Sequence, residues 1–178
     1  GAALCFDGTA AVNGAVFLDN GGLDGAIHVR NGSQLTATDC EFTSNGGDFG
    51  GGISIVGVAS LYNCHLRQNS ATRGGAIDNR GTLLAVNCTF RENDLIGPSD
   101  VGGGAIYNGD DCTLLNCILA GNTSNAGGGG IDNDTGGTLD AVNCVFAGNE
   151  ARSNGGGLYN RGSATWRSGP VRAWSWRP

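Results

Sequence analysis

The sequence predicts an all-β fold, a parallel β-solenoid, on three observations. A Phe/Leu-x-x-Asn element recurs at Phe17–Asn20, Phe42–Asn45, Leu66–Asn69, Phe90–Asn93, Leu119–Asn122 and Phe146–Asn149. A Gly-Ala-Ile-like element recurs around Ile27, Ile53, Ile77, Ile106, Ile131 and Leu158, and Leu4 extends that row backward. The period of roughly 24–29 residues is that of a repeat array whose units bury their apolar faces only against one another. The third observation is alternation. In "TLLAVNCTF", Leu83 and Ala85 share one face, Asn87 interrupts, and Cys88 and Phe90 return to the inner face. A period of two means strands.

Each unit then reads as three short strands. The first holds the Ile, the second the Leu83-type and Ala85-type residues, the third Cys88 and Phe90. Asn87 falls at the bend between the second and third strands, where a left-handed residue is needed and Asn tolerates that conformation. Asn63, Asn116 and Asn143 are its counterparts, with Asp39 in the first complete unit. Stacked one coil apart, these side chains form a buried hydrogen-bonded ladder along the axis. Cys40, Cys64, Cys88, Cys117 and Cys144 form a second structural row at one repeat position, held by Ala15 in the first unit. About seven coils at ~4.8 Å each make a rod on the order of 30 Å long.

Alternating "GGAI" and "FxxN" resembles the repeats of the polymorphic outer-membrane protein family, passenger segments of autotransporters and related bacterial surface proteins. The resemblance covers about Gly1 to Asn160. It implies a right-handed, single-stranded parallel β-helix, an extracellular or bacterial cell-surface location, and a role in display or adhesion. The partners it implies are a host or neighbouring cell surface, a glycan, or a second copy.

Composition narrows the function classes. Thirty-four Gly and three Pro show no collagen-like period. Lys is absent, and the net charge of −6 argues against nucleic acid or an anionic membrane as partner. No apolar run approaches the ~20 residues that span a bilayer. The chain opens at Gly1 and lacks Met, which reads as a piece of a longer protein. The seven Cys are an odd number, so at least one thiol has no intramolecular partner.

The candidate sites are few. A zinc-like centre needs thiolates converging on one point, whereas the Cys row is parallel and reads as packing; Cys112 and Cys5 read the same way. No metal and no cofactor is expected. After the Ile row, His28, Ser54, Asp78, Tyr107, Asp132 and Tyr159 stand outward and read as a solvated strand face. Asp78 and Asp132, two coils or about 9–10 Å apart, would be the catalytic acids of a polysaccharide-cleaving solenoid of the pectate lyase or polygalacturonase kind. Tyr107 between them would stack on a sugar. That pair lacks a third acid and a His-Arg cluster, so a non-enzymatic rod is the leading reading and the polysaccharide enzyme its alternative. Asp132 with Asp134, and Asp110 with Asp111, miss calcium-loop spacing. "GGGG" at residues 127–130 lacks the Lys of a phosphate loop.

Three further features stand out. Tyr62, Val86, Leu115 and Val142 align on the outer face of the second strand, with Leu84, Ile118 and Val145 beside them. Tyr62, Val86 and Leu115 are therefore binding candidates on an apolar stripe. The gap between Asn93 and Ile106 is lengthened by "DLIGPSDVGG", and long loops on rigid scaffolds often carry binding. After residue 163 the chain gathers all three Trp. Residues 1–163 are thus the repeat domain, and 164–178 a non-repeat tail, either a cap or the product of a shifted reading frame.

Overall fold

The computed structural model describes residues 2–97 and 101–167. They form a parallel β-helix of about six turns in which the backbone climbs through four sheets rather than three. The first sheet stacks seven three-residue strands from Leu4–Phe6 and Ile27–Val29 to Leu158–Asn160. The second stacks seven five-residue strands from Thr9–Asn13 to Ser163–Arg167. The third holds six, from Val16–Leu18 to Val145–Ala147. The fourth, which the alternation does not reveal, also holds six, from Gly21–Gly22 to Glu150–Ala151, built of two to four residues each after the Phe/Leu-x-x-Asn motif. Gly, Ser, Asp, Thr or Glu starts these short pieces, and two residues carry no period for a pattern to detect.

Register is strict. Ile27, Ile53, Ile77, Ile106 and Ile131 pair in sequence. Phe17, Phe42, Leu66, Phe90, Leu119 and Phe146 do the same. Together with Leu35, Leu61, Leu83, Leu114 and the buried Cys they form one continuous core. Phe17 and Phe42 stack with ring centroids 4.8 Å apart. From second sheet to third, and from third to fourth, the spacing is identical in every coil, as in Thr82 to Thr89 to Asp94. Differences in coil length fall at the corner from the fourth sheet to the next coil's first, and at the turn into the second sheet.

Two rows of left-handed residues bend the chain. Asp39, Asn63, Asn87, Asn116 and Asn143 have φ of 54–56°, as the sequence predicts. A second row precedes the motif Asn, and there Asp19, Ser44, Gln68 and Glu92 take φ near 54°. Gly74 (φ 65°) shows what the corner demands, since a Cβ there would collide with the Ile77 carbonyl.

The ladders differ from the expected one in where they are buried. Asn87 Nδ2 donates to Asn63 Oδ1 at 3.3 Å and Asn116 Nδ2 to Asn87 Oδ1 at 3.2 Å, so the expected ladder forms, but on the exposed edge. The bend points its apex at solvent, and the side chain follows. The buried ladders are two others. The motif asparagines of the central coils, Asn45, Asn69, Asn93 and Asn122, are wholly enclosed, and Asn69 donates both its backbone N–H and its Nδ2 to Asn93 Oδ1 at 3.0 Å. Asn79, Asn108, Asn133 and Asn160 form the second, with amide bonds of 2.6–2.7 Å.

At the far end Ser163–Arg167 pair with Thr138–Val142, and Trp166 rests against Phe146 at 4.8 Å. Residues 164–167, placed in the tail by composition, thus continue the second sheet. Residues 168–178 lie outside the described residues.

Candidate functional site

The outward row of the first sheet, expected to be solvated, is covered in the central coils. Ser54, Asp78 and Asp132 are fully buried and Tyr107 is only 7% exposed. The cover comes from the corners. Phe49 and Arg73 end strands of the fourth sheet, and Arg80 and Arg161 follow strands of the first.

Arg73 grips Asp78 with both arms, Nε to Oδ1 at 3.1 Å and Nη2 to Oδ2 at 3.0 Å, and Arg80 adds a contact at 3.3 Å. The Arg73 guanidinium lies between the Phe49 and Tyr107 rings, 4.8 Å from each centroid, an arrangement that strengthens when solvent is excluded. Arg161 holds Asp132 at 3.0 Å and Asp134 at 3.3 Å, and the Gly102 N–H donates to Asp132 at 2.8 Å. The Tyr107 hydroxyl donates to Asp134 at 2.6 Å.

Electrostatics follow from this enclosure. Burial pushes the Asp78 carboxyl above its ordinary value, with Arg73 and Arg80 pulling it back. Burial also raises Asp132, opposed by the Gly102 N–H and Arg161. Against the effect of burial, the Tyr107 hydroxyl and the Thr135 N–H hold Asp134 below its ordinary value. Tyr107 is pushed up to about 12 by burial and by its bond to Asp134.

A general acid or base must reach a substrate proton. Asp78 and Asp132 instead sit under arginines, and the Tyr107 ring face is occupied by Arg73 rather than open to a sugar. The two acids are not brought together on an open surface. His28 offers no relay either, because Ser54 Oγ at 3.3 Å and Asp24 Oδ1 at 3.6 Å both approach the same Nδ1. Sequence reasoning missed Arg73, Arg80 and Arg161. The signal was available in "Asn-Arg-Gly", which occurs at residues 79–81 and 160–162.

Tyr62, Val86, Leu115 and Val142 do form one column, in register across four coils of the second sheet. All four are half-buried because each leans on its neighbours, while Val145 beyond the bend is 48% exposed. Leu84 stands in the adjoining column between Ser60 and Thr113. The long corner after Asn93 borders a shallow groove of about 460 Å³, lined by Asp94, Ile96, Thr123, Asn125, Glu150 and Arg152. Residues 98–100 of that corner lie outside the described residues.

Cys40, Cys64, Cys88 and Cys117 are buried and Cys144 is half-buried, all as free thiols. Each S–H donates to backbone carbonyls, as Cys64 Sγ does to Tyr62 O at 3.4 Å and Ala37 O at 3.5 Å. Burial pushes Cys40 up, and Cys112 too, which fills the position of Leu83 and Leu139 in adjoining coils. Cys5 stands exposed on the outer face beside His28. Among the described residues, no group of three or more His, Cys, Asp or Glu could hold an ion, and no helix is long and apolar enough to cross a membrane.

Stacked parallel sheets, inward Ile and Phe rows and Asn ladders define a solenoid class. Residues 3–168 match the right-handed beta helix region family, and the chain belongs to it. No curated protein and no solved structure matches the chain.

Proposed function

We propose that this chain is a non-enzymatic structural and adhesive segment of an extracellular or cell-surface β-solenoid, displayed in the manner of autotransporter passengers. Its partners are a neighbouring cell surface, a glycan or a second copy. The observation that carries the reading is the fate of Asp78 and Asp132, fully buried and bonded to Arg73, Arg80 and Arg161. A carboxylate enclosed with its arginine partners is closed to substrate, and removing one partner leaves an uncompensated buried charge, which is strongly destabilising. What remains outward is a repeating surface, on which weak contacts add from coil to coil.

The test is incubation of the purified chain with polygalacturonate and other acidic polysaccharides, with and without calcium, while reducing ends are measured. No turnover is expected. Turnover abolished by Asp78→Asn in a protein that remains folded would replace this reading with the polysaccharide-cleaving one. Retention on a glycan column without turnover would place a glycan among the partners.

A further inference from the structure

In an Asn-Gly pair the side-chain amide carbon and the next backbone nitrogen can close into a five-membered ring. Gly leaves that approach unhindered. The chain has six such pairs, beginning at Asn13, Asn20, Asn31, Asn45, Asn108 and Asn154. Ring closure requires the peptide between the two residues to turn, and in five of the six an adjoining coil holds that peptide. The Gly14 N–H donates to Thr38 O at 2.9 Å and the Gly109 N–H to Asn79 O at 2.8 Å. The Gly46 N–H donates to Asn20 O at 2.8 Å, one bond that fixes the peptides of both Asn20 and Asn45. The Asn154 carbonyl accepts from the Gly128 N–H at 2.9 Å.

Asn31 differs because of the length of its turn. The first sheet passes to the second over four residues here, 30–33, against two in most coils, as at 56–57 and 80–81. The extra residues step off the stack. The turn closes on itself, with the Ser33 N–H donating to Arg30 O at 3.0 Å and Gly32 at φ 77°. Among the described residues nothing bonds the Asn31 carbonyl, the Asn31 side chain or the Gly32 N–H. Asn31 is exposed, and a Cβ built on Gly32 would meet no atom within 4 Å.

We propose that Asn31 is a self-modification site, where the chain deamidates through a cyclic imide. The Gly32 nitrogen bonds to Asn31 Cγ, the Cγ–Nδ2 bond breaks, and Nδ2 leaves as ammonia with the proton from Gly32. Water then opens the ring at one carbonyl or the other. One opening gives aspartate at position 31, and the other gives isoaspartate, with one more carbon in the backbone. That carbon falls in a turn whose length already varies between coils, so the stack tolerates it. The new carboxylate joins Asp110 in lining a shallow groove of about 360 Å³. It also moves the net charge of −6 one unit further from neutral.

The test keeps the full chain folded in mildly alkaline buffer and maps its peptides by mass spectrometry over time. Asn31 should convert at least about tenfold faster than the other five, each of which waits for a local opening of its coil. Acidic species on isoelectric focusing should rise at the same rate. Asn31→Gln should abolish that rise, because its amide carbon lies one bond further from the backbone nitrogen. In urea the six rates should converge, since only the fold separates them. Modification led by Asn13 or Asn154, both exposed, would overturn the proposal. So would a folded-state rate at Asn31 no greater than at buried Asn45, or a lead for Asn31 that persists undiminished in urea.

Discussion

Asn87 and Asn93 are the same residue type in the same coil, six positions apart, and the structure gives them different work. Asn87 is exposed, and its side chain makes two long ladder bonds of 3.2–3.3 Å. What it supplies is tolerance of φ 56°. Replacement by Gly should therefore leave the melting temperature nearly unchanged, and Val should cost about 1–3 kcal/mol of strain. Asn93 is enclosed. It accepts from Asn69 and donates to Asn122 and the Leu66 carbonyl, all at 2.9–3.0 Å. Asn93→Ala orphans the buried Asn69 amide groups at ~1–3 kcal/mol each. It should lower stability in urea more than Asn87→Val does. Both rows could be read from sequence as rows, but their burial could not, because Asn is ordinarily a surface residue and only the bend geometry says which amide turns inward. Likewise Ser44, Gln68 and Glu92 gave no sign of a left-handed bend, since long and hydroxyl side chains seldom mark one.

Asp78 adds a prediction in pH. Its folded-state carboxyl is raised by burial above that of the unfolded chain, so the native state binds the proton more tightly. The stability linked to that proton is fully present below the unfolded value and is lost as pH rises through the folded one. The melting temperature of the wild type minus that of Asp78→Asn should therefore grow as pH falls from 7 toward about 4. A difference that shrinks would mean the Arg73 clamp outweighs burial.

At the scale of the element, the second sheet is the surface to examine. Its strands are the longest, and its column of Tyr62, Val86, Leu115 and Val142 is apolar on a face that water reaches. Covering such area is favourable by ~25 cal/mol per Å², so association through this face is expected. Val86→Lys with Leu115→Lys should abolish it without loss of β structure. Analytical ultracentrifugation over a concentration series checks this, and monomers throughout in the wild type, without binding to cells or matrix, would reduce the stripe to strand propensity. The alternation that revealed this column also foretold a solvated first-sheet face, and there it misled. Whether an outward row is wet depends on what the corners fold over it. Arg73 reaches Asp78 from a neighbouring sheet, a relation no period of two contains.

For the whole molecule, coil stacking makes stability a sum of neighbour terms. Central coils enclose their Phe and Leu fully, whereas Phe17 and Phe146 in the outer coils are only partly buried. In the 178-residue chain, hydrogen exchange should be slowest at the amides of Leu66, Phe90 and Leu119 and faster toward either end.

The unvarying spacing from second sheet to fourth has a consequence for heredity. Every coil starts and finishes at the same phase, so a recombination event that removes or copies one whole period returns the chain to the frame it left. Excising residues 53–76 would join Gly52 to Ile77, set Phe42 beside Phe90, and bring Val29 and Asn79 into one stack. The product should be a folded rod shorter by one ~4.8 Å step, measurable by small-angle scattering. Excising half that length should give no folded protein at all. Length in such a molecule is thus counted in whole coils, and a lineage can alter its reach by miscopying alone, with no new contact to invent.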